Sequence, residues 1–141
     1  MKDVLIEIKG TKGLDNDENV IELTTVGQIA FKNGKYYLFY NDNELPGQNG
    51  VKTTLKADGN RRVVMNRSGM LESRLIIEKG RRSKCFYATE YGQLVLGIFG
   101  ESITNTLTDN GGSLNMCYTI DVDNGLLSRN KVEITVREVN K

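Results

Sequence analysis

The sequence predicts an all-β protein, an antiparallel meander closed or nearly closed into a barrel, and three observations carry this. About ten short segments rich in Val, Ile, Tyr, Phe and Thr follow one another at the spacing of hairpin-linked strands. Glycine outnumbers proline fifteen to one, and many of those glycines directly follow Asn or Asp, the pairing that tight hairpins use. No stretch longer than about three turns keeps the period of an amphipathic helix. A sheet of this many strands must hide its edges, and closing on itself does so most completely; a two-sheet sandwich is the alternative.

Each element has a local reason. Asn33-Gly34, Asn49-Gly50, Asp58-Gly59, Asn110-Gly111 and Asn124-Gly125 each set side by side two residues that tolerate positive φ. That predicts two-residue turns, whose backbone twist matches the flanking strands. Between the turns, side chains alternate as in strands with one wet face. Leu71, Ser73, Leu75 and Ile77 oppose Glu72, Arg74 and Glu78; Leu114, Met116, Tyr118 and Ile120 oppose Asn115, Thr119 and Asp121; Val132, Ile134 and Val136 oppose Lys131, Glu133 and Thr135. Leu94, Leu96 and Ile98 alternate instead with Val95, Gly97 and Phe99, which predicts a strand covered on both sides or a barrel corner kinked at glycine. The stretch from Gly100 to Leu107 is expected to bend into a turn.

The 141 residues fit a single domain over 1–141. No apolar run is long enough to span a membrane, and acid appears at Asp3 and Glu7 where a signal peptide needs an apolar core. The expected compartment is the cytoplasm, with Cys85 and Cys117 reduced. Histidine is absent, which excludes histidine metal sites, Ser-His-Asp triads and Cys-His dyads. Two scattered cysteines build no zinc site, and Asp121 and Asp123 supply too few ligands for calcium. The expectation is a protein that is not an enzyme and has no cofactor and no metal.

Arg67-Ser68-Gly69, Phe86-Tyr87-Ala88-Thr89-Glu90-Tyr91-Gly92-Gln93-Leu94 and Gly112-Ser113-Leu114-Asn115-Met116-Cys117-Tyr118 resemble the YwiB-like family of small bacterial proteins of uncharacterised function. The resemblance spans nearly the whole chain and implies a calycin-type, lipocalin-like β-barrel. Calycins include carriers of small apolar ligands, but the Gly-x-Trp of lipocalins is missing, since the chain has no tryptophan. Fold likeness alone does not transfer a function, and a small barrel can be filled by its own side chains.

Three features are candidates for function. Arg67 shares parity with Val63 and Met65, which turns it inward near a barrel mouth. There it meets either a ligand's acid group or an internal partner, or it snorkels from the strand end. Tyr87, Thr89 and Tyr91 line the same mouth or simply belong to a hairpin turn closed by Gly92. From Val51 to Lys84 ten basic residues stand against three acidic ones. Of these, Lys52, Lys56, Arg62, Arg74 and Lys84 are expected on the outer face, where they bind RNA or an acidic protein, or are merely solvated. The leading expectation is a small apolar or anionic ligand inside the barrel; the alternative is the basic outer face.

Overall fold

In the computed structural model, residues 1–14, 17–41, 52–68, 73–89, 92–122 and 125–139 are described, the side chains of Leu14, Asp17, Tyr87, Ala88 and Thr89 excepted. Ten strands follow in chain order: β1 (Lys2–Leu14), β2 (Asp17–Lys32), β3 (Lys35–Asn41), β4 (Lys52–Asp58), β5 (Arg62–Ser68), β6 (Ser73–Glu78), β7 (Arg82–Thr89), β8 (Gly92–Asn105), β9 (Gly111–Val122) and β10 (Gly125–Glu138). Each pairs antiparallel with its neighbour in sequence, and β1 pairs with β10 from Val4↔Glu138 to Gly13↔Arg129, closing the barrel. The predicted meander barrel is therefore the fold, and no helix forms among the described residues.

Alternation sorts the side chains. Val4, Ile6, Leu38, Leu55, Val63, Ile77, Ile98, Leu114, Met116 and Ile134 are buried in the lumen, while Lys and Glu residues occupy the outer face.

Several local expectations need correction. Among the pairs with both residues described, only Asn33-Gly34 has positive φ at both. At Asp58-Gly59 only the glycine does, because Gly59, Asn60 and Arg61 form a longer turn closed by Arg61 N donating to Asp58 O. Gly111 rather than Asn110 carries the positive φ at the next pair, since Asp109 and Asn110 make the turn and Gly111 already starts β9. Gly125 sits in β10 without positive φ; Asn49, Gly50 and Asn124 lie outside the described residues. The stretch from Gly100 to Leu107 does not turn: β8 runs through it to Asn105, with a bulge between Gly100 and Ser102 that absorbs the bend.

Nor is β8 covered on both sides. Val95 and Phe99 are exposed on its outer face. The Arg82 side chain lies across Gly97, and its guanidinium would have to shift to admit a Cβ there. Arg82 continues over Gly97 to grip Asp121 in a two-pronged ion pair, Nε–Oδ2 3.0 Å and Nη2–Oδ1 2.6 Å.

The two ends of the barrel differ. At one end the segment after β8 folds across the base. Asn60 Oδ1 accepts from Asn105 N at 2.7 Å, and Asn105 Nδ2 donates to Gly59 O at 3.0 Å. Tyr36 reaches Asp109 and Lys2 reaches Asn110, and Leu107 is buried in the core beneath them. This end is sealed.

One seam is thin. Among the described residues β6 and β7 share one ladder pair, Ser73↔Tyr87; farther along, the Ile76 amide donates to Cys85 Sγ at 3.3 Å. The turn beyond docks on β8, where Gly80 N donates to Gly100 O at 2.8 Å.

Candidate functional site

In β5 the alternation Val63, Met65, Arg67 faces the lumen, and β5 runs from the sealed base toward the opposite end. Arg67 is therefore the last inward residue of the series. Across β4 its register partner is Thr53, itself buried. Thr53 in turn faces Tyr40 on β3, also buried. From the far wall, β9 contributes Tyr118 by the same alternation that buries Leu114 and Met116.

Tyr40, Arg67 and Tyr118 line a cavity of ≈ 440 Å³ that occupies the half of the lumen away from the base. Met65, Leu75, Leu94, Leu96, Ile120 and Val132 supply most of its wall. The polar lining groups are Thr11, Lys12, Asn19, Tyr40, Arg67, Tyr118, Asn130 and Lys131. An apolar wall with a few convergent polar groups is the usual form of a small-molecule site, and the volume is in the usual range.

Electrostatics links the two walls. Burial pushes the Tyr118 hydroxyl above its ordinary pKa, and the positive charge of Arg67 acts in the opposite direction. The phenol therefore stays protonated and able to donate a hydrogen bond, beside a guanidinium half-withdrawn from water. A cation and a neutral phenol facing one low-dielectric space can hold a carboxylate or phosphate.

The other residues singled out from the sequence fall as follows. The backbone of Tyr87 lies in β7 opposite Ser73 and Leu94, and that of Thr89 opposite Gly92. Their side chains, and Tyr91 entirely, lie outside the described residues. Lys52, Lys56, Arg62, Arg74 and Lys84 all alternate with lumen residues and point outward from four successive strands, β4 to β7. Tyr40 and Tyr118 were missed as site residues. Their inward parity is readable in the sequence, but their convergence on Arg67 exists only once the barrel closes. No group of three or more potential metal ligands occurs among the described residues.

Comparison with known proteins agrees with this architecture. The uncharacterized beta-barrel protein YwiB of Bacillus subtilis is 28% identical over 119 residues, covering 84% of this chain and 82% of that one. The crystal structure of ywiB protein from Bacillus subtilis superposes with a TM-score of 0.84 at 25% identity, covering 99% of this chain and 93% of that chain. The family model described as Domain of unknown function (DUF1934) matches residues 6–134. On a match of that extent, the chain belongs to the DUF1934 family of β-barrel proteins.

Proposed function

We propose that this protein is a non-enzymatic, cytoplasmic binding protein that holds one small amphipathic acid inside its barrel. The observation that carries the reading is the ≈ 440 Å³ cavity in the half of the lumen away from the base, with a largely aliphatic wall and Arg67 and Tyr118 among its polar groups. The apolar part of the ligand lies against Met65, Leu75, Leu96 and Ile120, and the acid group meets Arg67. The calycin resemblance supports the same reading, since calycins include carriers of small apolar ligands. The free thiols Cys85 and Cys117 suit a reducing compartment. With no histidine in the chain, binding accounts for the polar groups better than catalysis does.

The test is native mass spectrometry on protein purified from bacterial cells without denaturation. A reproducible added mass, released on unfolding and reduced about tenfold or more in Arg67→Met, is the expected result. A clean unliganded mass, together with no binding of medium-chain or phosphorylated acids in titration, overturns the proposal. So does an added mass that Arg67→Met retains in full.

A further inference from the structure

All four phenylalanines lie outside the core: Phe31, Phe86 and Phe99 are exposed and Phe39 is half-buried on the outer face of β3. Phenylalanine is ordinarily among the most buried residue types, so its placement here calls for a reason.

Phe86 and Phe99 stand on the outer face of β7 and β8, 60% and 38% exposed, and Val95, the direct partner of Phe86, is 48% exposed. Lys84 lies between them along β7, beside Gly97. On β3, Tyr37 and Phe39 stack with ring centroids 6.2 Å apart and planes 7° from parallel. Lys56 faces Tyr37 directly across the β3–β4 ladder. Between these aromatic groups run Lys56, Arg62, Arg74 and Lys84, one from each of β4 to β7. Five strand spacings of about 4.8 Å separate β3 from β8, roughly 24 Å measured along the sheet.

The bases of this region divide into two sets. Arg61, Arg81 and Arg82 are held by Asp58, Glu78 and Asp121. Lys52, Lys56, Arg62, Arg74 and Lys84 form no ion pair among the described residues. Arg62 is the clearest case: its ladder neighbours are Asp58 and Glu78, yet both acids are engaged by other arginines. Val64, on the outer face between Lys56 and Ile76, is only 4% exposed, as expected where the aliphatic stems of long bases lie over the sheet and hold their charged heads in place.

We propose that the outer face of β4–β8 binds single-stranded nucleic acid, with Lys56, Arg62, Arg74 and Lys84 on the phosphates and Phe86 and Phe99 stacking on bases. The charge supplies attraction to a polyanion, and the exposed rings supply what a simple acidic surface would not need, flat faces for unpaired bases. The site is separate from the lumen and does not depend on the ligand proposed there.

The experiment is fluorescence anisotropy with labelled oligo(U) and oligo(dT) of twelve nucleotides at several salt concentrations, using a duplex of equal length and polyglutamate as competitors. The expected result is salt-dependent binding of the single strands, weakened about tenfold or more in Phe86→Ala with the salt slope unchanged. In R74Q/K84Q the slope itself falls, by about 0.7 per lost contact, whereas Lys9→Gln on the opposite wall leaves binding intact. Lys9, Arg74, Lys84 and Phe86 are all exposed, so the folded barrel is retained and verified by its melting curve. No binding at low salt overturns the proposal. So does equal loss in the Lys9→Gln control, or an oligonucleotide displaced by polyglutamate and indifferent to Phe86→Ala, which would mark the face as a dock for an acidic protein.

Discussion

Arg67 shows how much a single position can reveal. Its inward orientation follows from counting by twos along β5, and the structure places it in the lumen beside the cavity. What it faces is set by closure, since Tyr118 stands more than fifty residues away in sequence and arrives from the opposite wall. The phenol provides a test. Because burial raises its pKa in the folded state, its contribution to stability is fully present below the ordinary value of 10.0 and is lost as pH rises through the folded value. Ultraviolet titration should show a late-ionising fraction that includes Tyr118 and also Tyr36, which burial and the neighbouring Asp109 hold up, and Tyr118→Phe should diminish that late fraction; a single uniform transition in the wild type would contradict the burial. Gly27 is a second informative residue. It is buried where β2 crosses β3, and a Cβ there would run into the Phe39 carbonyl oxygen and Ile6 Cδ1. Gly27→Ala should cost about 1–3 kcal/mol in denaturant unfolding, the usual toll of overpacking, although nothing in the sequence around it announces the close approach.

Strands were easier to read than the irregularities within them. Period-two alternation marks β5, β6, β9 and β10 plainly, because each buries one face. The bulge after Gly100 and the arginine lying over Gly97 leave no such trace, since both depend on which strand lies alongside. The β6–β7 seam belongs to the same category. With one ladder pair and an amide bonded to a sulfur, it lacks the regular ladder that protects the other junctions, and local opening is expected to begin there. Cys85 reports on it directly. Burial raises its pKa, so the thiol is protonated and shielded, while Cys117 is only half-buried on the outer face. At pH 8 a thiol reagent should label Cys117 quickly and Cys85 at the slower rate of seam opening. In hydrogen exchange, amides of β6 should lose protection before those of β1 and β10. Equal labelling of both cysteines would mean that the seam is open on average.

At the level of the whole molecule, the number of strands and the need to hide edges were enough to indicate a barrel, and the charge imbalance of residues 51–84 becomes one side of it. Which end is sealed could not be foreseen, because Asn60, Asn105, Tyr36 and Asp109 come together only across the diameter. Closure also joins the two ends of the chain: Val139 N donates to Asp3 O at 3.4 Å, and Lys2 pairs with Glu138 at 2.6 Å. Forming that last ladder brings together the most distant residues of the sequence, which predicts slow folding on the millisecond-to-second scale in stopped-flow experiments. A circular permutant with its ends joined by a short linker and opened between Asn33 and Gly34 should keep the same fold. Refolding much faster in the permutant than in the parent would identify the β1–β10 closure as the limiting step.

The sealed base has a kinetic meaning. With the base closed among the described residues, a ligand in the cavity is expected to come and go through the other half of the lumen, by the same passage in both directions. Whatever settles on the rim near Ile21, Leu94 or Leu127 would slow capture and release by the same factor. The affinity would stand still while the residence time lengthened, and the protein would change from a fast exchanger into a store.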